Sequence, residues 1–170
     1  MRKITHFVVV SLLILAFALT GCSTEQTDPS ESEETWQVSP AFTITKQGPD
    51  GKDVPYGLRG TEGKLAIVDG PVIAGKKNKQ LFHFWGGTPE KTEQLFHKQV
   101  KVIGKSKENG KTVTAFESSI GVRNEEIIKP PHHYAESVGY LNLPQKGIWK
   151  LEAYIEDELF GSMIVDVQEK

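Results

Sequence analysis

From Trp149 the chain keeps a strict alternation. Trp149, Leu151, Ala153 and Ile155 are apolar, while Lys150, Glu152 and Tyr154 between them are charged or amphipathic. A period of two buries one face of an extended strand, whereas the apolar face of a helix recurs every three to four residues. Glu156, Asp157 and Glu158 supply a turn, and Leu159, Met163, Val165 and Val167 carry the apolar face back, with Gly161 relieving the pleat. A hairpin with one greasy face must be covered by a second layer, so this terminal pair closes a sandwich.

The rest of the chain repeats that pattern in short runs. Ala41 to Thr45 points Phe42 and Ile44 one way, and Gly48, Pro49, Asp50 and Gly51 turn the chain. Pro55, Tyr56, Gly57, Leu58 and Gly60 read as a loop before Lys64 to Val68 returns as a strand, ended by Asp69, Gly70 and Pro71. Leu81 to Trp85 is the most aromatic stretch and the best central strand, closed by Gly86 and Gly87. Thr88, Pro89 and Glu90 suit the cap and first turn of a short helix reaching Leu95. Gln99 to Ile103 and Thr112 to Phe116 flank Asn109 and Gly110, a hairpin signal, and Val138 to Leu143 precedes a corner at Pro144 to Gly147. The expectation is an all-β, immunoglobulin-like antiparallel β-sandwich of seven or eight strands with at most one short helix. A buried Trp149 after an inter-sheet corner resembles the end of an immunoglobulin-like domain, without the disulfide of antibody domains.

The first residues are of another kind. Arg2 and Lys3 precede thirteen nearly unbroken apolar residues, Phe7 to Leu19. At about 1.5 Å per residue these cover roughly 20 Å, short of a roughly 30 Å hydrocarbon core, so they read as a secretory signal. Leu19, Thr20, Gly21 and Cys22 resemble the lipobox of bacterial lipoproteins. That resemblance implies cleavage after Gly21, diacylglycerol on the Cys22 sulfur, and residence on the outer face of the cytoplasmic membrane. Ser23 to Thr35 carries Glu25, Asp28, Glu31, Glu33 and Glu34 with no base, and reads as a flexible acidic tether. The expected division is a removed signal over 1–21, the lipidated Cys22 and tether over 22–35, and the sandwich over 36–170.

Composition narrows the chemistry. Cys22 is the only cysteine of the 170 residues, which excludes a disulfide framework, a thiolate metal site and a cysteine nucleophile. Ser118 and Ser119 lie in no nucleophile elbow, Glu125 and Glu126 read as solvated charge, and a phosphate-binding glycine loop is missing. The expectation is a protein that is not an enzyme and needs no cofactor. Net charge is −2, and with 18 bases against 17 acids from Trp36 onward nothing marks a nucleic-acid partner. Ten lysines between Lys64 and Lys111 make that stretch basic, which suits strand edges and turns. Tyr56, Trp85 and Tyr134, in Gly-rich and Pro-rich loops, are the candidate binding surface, since aromatics give large contact area at low entropic cost. The alternative is copper or zinc binding or delivery through His132 and His133.

Several runs together carry a wider resemblance: Tyr56 to Leu58, Gly63 to Ala66, His83 to Gly86, Leu143 to Leu151 around Pro144, Gly147 and Trp149, and Ala153 to Ser162 around Leu159, Phe160 and Gly161. They are similar to an uncharacterised family of small Gram-positive lipoproteins of Bacillus type. The resemblance implies an immunoglobulin-like domain of unknown function. The functional expectation is a lipid-anchored binding or interaction module without catalysis, with an envelope protein or cell-wall component as partner.

Overall fold

The computed structural model describes residues 36–121 and 133–169. Leu19 to Cys22, the signal segment and the tether lie outside the described residues, as do Glu125, Glu126 and His132. In chain order the strands are β1 (Ala41–Gln47), β2 (Asp53–Thr61), β3 (Leu65–Val68), β4 (Val72–Ile73), β5 (Asn78–Phe84), β6 (Gln99–Ser106), β7 (Thr112–Ser119), β8 (Ala135–Leu141), β9 (Gly147–Ile155) and β10 (Glu158–Gln168). One short helix, α1 (Pro89–Glu93), follows β5, with Pro89 in its first turn and Thr88 Oγ1 accepting from the Lys91 amide. The strands form two five-stranded sheets, ordered β1-β2-β3-β5-β8 and β4-β10-β9-β6-β7. Neighbours run antiparallel except β4, which lies parallel to β10. This is the all-β sandwich the alternating runs predict, with ten strands among the described residues where seven or eight were expected.

The core lies between the sheets. Trp149, Leu151, Ala153 and Ile155 of β9 are buried there, and so are Phe82 and Phe84 of β5 opposite them. Phe82 meets Phe116 with ring centroids 4.5 Å apart, and the Trp149 indole donates to the Gln145 carbonyl at 3.0 Å, so the deepest ring leaves no donor stranded. Glu156 and Asp157 turn β9 into β10 at φ +52° and +68°, and the register slips between Leu159 and Gly161, a β-bulge at the glycine expected to relieve the pleat. The sheets also meet along one flank. Ser118 Oγ donates to the Val138 carbonyl at 2.9 Å, and the Gly121 amide to the Glu136 carbonyl at 2.9 Å, which ties β8 to the β7 end of the other sheet.

The stretch Pro55 to Gly60 departs from its expected loop, since it belongs to the nine-residue strand β2. Proline is tolerated because β3 pairs with β2 only from Leu58 to Thr61, leaving Pro55 a neighbour on one side alone. Glycine is required at position 60, where φ is +145° and a Cβ would stand 2.2 Å from the Leu65 carbonyl oxygen. The outer half of the β1–β2 hairpin runs past the end of β3 and folds back across the outer face of its own sheet. Lys46 on one edge strand reaches Glu136 on the other at 3.2 Å, although four strand spacings of a flat sheet would separate them by about 19 Å.

Ahead of β1 the chain is clamped to both sheets. The Ser39 amide donates to the Ile164 carbonyl at 3.0 Å, and Ser39 Oγ accepts from the Ile164 amide at 2.9 Å. From the first sheet, Arg59 Nη1 donates to the Ser39 carbonyl at 2.7 Å and the Gly60 amide to the Pro40 carbonyl at 3.0 Å. Before the clamp, Trp36 lies with its ring centroid 6.0 Å from the Lys105 ammonium on β6.

Candidate functional site

Strand alternation sends Phe82 and Phe84 into the sandwich and places His83 on the outer face of the first sheet. An outer-face residue normally meets water, yet His83 has no exposed surface. The folded-back hairpin covers it, and a second apolar cluster forms beneath that cover from Ile44, Leu58, Ala66 and Tyr134, with Phe42, Tyr56 and Trp85 packed at its margin.

Tyr56, Trp85 and Tyr134, far apart in the sequence, meet around this histidine. The His83 ring centroid is 4.8 Å from that of Tyr134, 5.9 Å from Tyr56 and 6.0 Å from Trp85, and Trp85 lies 5.3 Å from Tyr134. Tyr134 corrects the expected loop surface. It is 3% exposed, because it leads into β8 under the hairpin, while Tyr56 and Trp85 remain half-buried.

The polar groups of the site come from three strands. His83 Nε2 of β5 is 3.1 Å from Glu136 Oε1 of β8, and the Lys46 ammonium of β1 is 3.2 Å from the same oxygen and 3.4 Å from Nε2. Nε2 cannot donate to the carboxylate and accept from the ammonium at once. Both nitrogens converge on that one carboxylate oxygen, and the protonation of the His83 ring decides which contact Nε2 makes. Lys46 also stands 3.7 Å from the centroid of the Tyr56 ring and 5.5 Å from that of Tyr134. An ammonium held between ring faces and a carboxylate is favoured by the ring quadrupoles and the ion pair together.

Sequence reasoning found the three aromatics and missed Lys46, His83 and Glu136 as members of the site. Counting by two from Trp85 to His83 puts those rings on one face, which was a usable signal. Nothing local marks Lys46 or Glu136, since their meeting depends on the hairpin folding over.

Elsewhere, His133 is exposed, and its charge is a minor contributor to a Glu90 carboxyl held below its usual range chiefly by hydrogen bonds to its own backbone and to Thr88. Among the described residues no three His, Cys, Asp or Glu side chains gather as metal ligands. A cleft of about 520 Å³ beside Arg59 and Asp166 lies at the edge of the sandwich, with the Arg59 guanidinium engaged by Asp69 at 2.8 Å. No helix among the described residues is long and apolar enough to cross a membrane.

Comparison with known families places these features. The model of the DUF4871 family, a domain of unknown function, matches residues 30–165, and the chain belongs to that family. No curated protein matches. Among solved structures, the chain is similar to a "putative lipoprotein" from Bacillus anthracis, at 17% identity over 79% of this chain and 87% of that one, with a TM-score of 0.49. It is also similar to an immunoglobulin-like protein from Pseudomonas aeruginosa, at 13% identity over 76% of this chain and 92% of that one, with a TM-score of 0.29.

Proposed function

We propose that this protein is a lipid-anchored binding module on the outer face of the cytoplasmic membrane, and that it works by recognition without carrying out a reaction. The anchor rests on the order Leu19, Thr20, Gly21, Cys22 behind an apolar signal. Two acyl chains hold a protein stably at a membrane where one is marginal.

The observation that carries the binding reading is the outer face of the first sheet. Past the covered cluster, on the same face of β8 as Glu136, Val138 and Tyr140 stand 53% and 59% exposed. Exposed apolar side chains continuous with an aromatic cluster mark a contact surface. Catalysis by the His83–Glu136 pair is disfavoured for a steric reason: an imidazole with no exposed surface cannot meet a substrate while the hairpin covers it.

In-cell crosslinking of the intact lipoprotein, followed by mass spectrometry, tests the reading. One recurrent envelope component, lost when Val138 and Tyr140 are both replaced by Ser, is the expected result. Diffuse crosslinks that the double substitution leaves unchanged would overturn it.

A further inference from the structure

We infer that the aromatic site beneath the β1–β2 hairpin is a receptor for a primary alkylammonium group, and that Lys46 is its resting occupant. The inference rests on the binding-module reading and names the chemistry the module takes. The site already displays the complex in intramolecular form. Its ammonium lies 3.7 Å from the Tyr56 ring centroid, 5.5 Å from that of Tyr134 and 3.2 Å from Glu136 Oε1. Buried His83 fixes that carboxylate from behind at 3.1 Å.

Two features make the occupant replaceable. Lys46 arrives from an edge strand on a hairpin that outruns β3, so it can leave without unpairing the sandwich. Its side chain and that of Glu136 are 18% and 23% exposed, so the site opens to solvent at the ion pair. A carboxylate oxygen aimed at the ammonium favours a primary amine, which can donate to it, over a quaternary one, which cannot.

Truncating Lys46 to Ala removes three methylenes and the ammonium, and n-propylammonium restores those atoms. In the full-length lipoprotein, solubilised in detergent, Lys46→Ala should bind n-propylammonium saturably, read by the fluorescence of Trp85 beside the site and checked in Trp85→Phe. Affinity in Lys46→Ala should be about tenfold that of the wild type, and adding Tyr56→Leu should lower it about tenfold again, the effect of one ring face on a desolvated cation. Tetramethylammonium should bind more weakly than n-propylammonium. If Lys46→Ala does not fold, Lys46→Ser, which leaves the same space open, takes its place with the same expectations.

A lysine-containing peptide and phosphatidylethanolamine vesicles, each offered as competitor, distinguish an ammonium carried by protein from one carried by lipid. Absence of saturable binding to the folded variant would overturn the inference, as would binding insensitive to Tyr56→Leu. Crosslinking to an envelope component with no ammonium binding removes the receptor and keeps the module. Ammonium binding without any crosslinked component removes the module and keeps the receptor.

Discussion

At the scale of single residues, the absence of a side chain at one position holds β2 against β3. A Cβ on Gly60 would collide with the Leu65 carbonyl oxygen at 2.2 Å and with Ala66 Cα at 2.7 Å, both backbone atoms that cannot swing away. Gly60→Ala should therefore destabilise the protein by about 2 kcal/mol or more, from strain at a glycine-favouring φ and from the displaced β2–β3 pairing. A fall in urea midpoint with an unchanged slope would show it, and an unchanged midpoint would mean the strand accommodates the methyl group. Trp149 was legible in the sequence because its burial follows from a local period of two. Lys46 was not, because a lysine near a turn looks solvated until a contact ninety residues away along the chain gives it a carboxylate.

Among the elements, the hairpins separate what local sequence can say from what it cannot. The β9–β10 pair and the short helix α1 carry their signals in consecutive residues. β2 carries glycine and proline, the usual marks of a loop, because a strand that must bend over its own sheet needs the same residues as a loop. The tip of that bent hairpin is held partly by charge. Asp50 accepts from the Lys52 amide at 3.2 Å and pairs with the Lys52 ammonium at 3.0 Å, so hydrogen bonds from the Lys52 side chain and then its backbone hold the carboxyl below the ordinary aspartate value of 3.8. A depressed folded-state value stabilises the turn fully above the unfolded value, and that support disappears as pH falls through the folded one. In an acid titration by NMR, the Lys52 amide shift should therefore move with a midpoint below 3.8, and Asp50→Asn should abolish the transition. A midpoint above 3.8 would rule out the bridge as the cause.

For the whole molecule, sequence and fold answer different questions. The alternation in the last third was enough to call a sandwich, because burying one face of a hairpin leaves few architectures. The site could not be called with it, because it is made by the curl of one sheet, a property of tertiary structure. The proposed residence at the membrane rests on Cys22. Cys22→Ala should leave the chain unprocessed or release it into the medium, and fractionation of cells expressing it would show which. Mature Cys22→Ala protein still firmly in the membrane fraction would refute lipid anchoring.

The Ser39 clamp also bears on mechanics. A protein moored by its N-terminal end feels any pull on its far side as tension along the chain entering β1. Were that chain attached only to an edge strand, the load would peel β1 away one hydrogen bond at a time. Ser39 and Pro40 instead divide their bonds between Arg59 and Gly60 of β2 and Ile164 of β10. Under the lipid anchoring proposed above, a tug on the N-terminal end is shared between the two layers before it reaches the hairpin that covers Lys46 and His83.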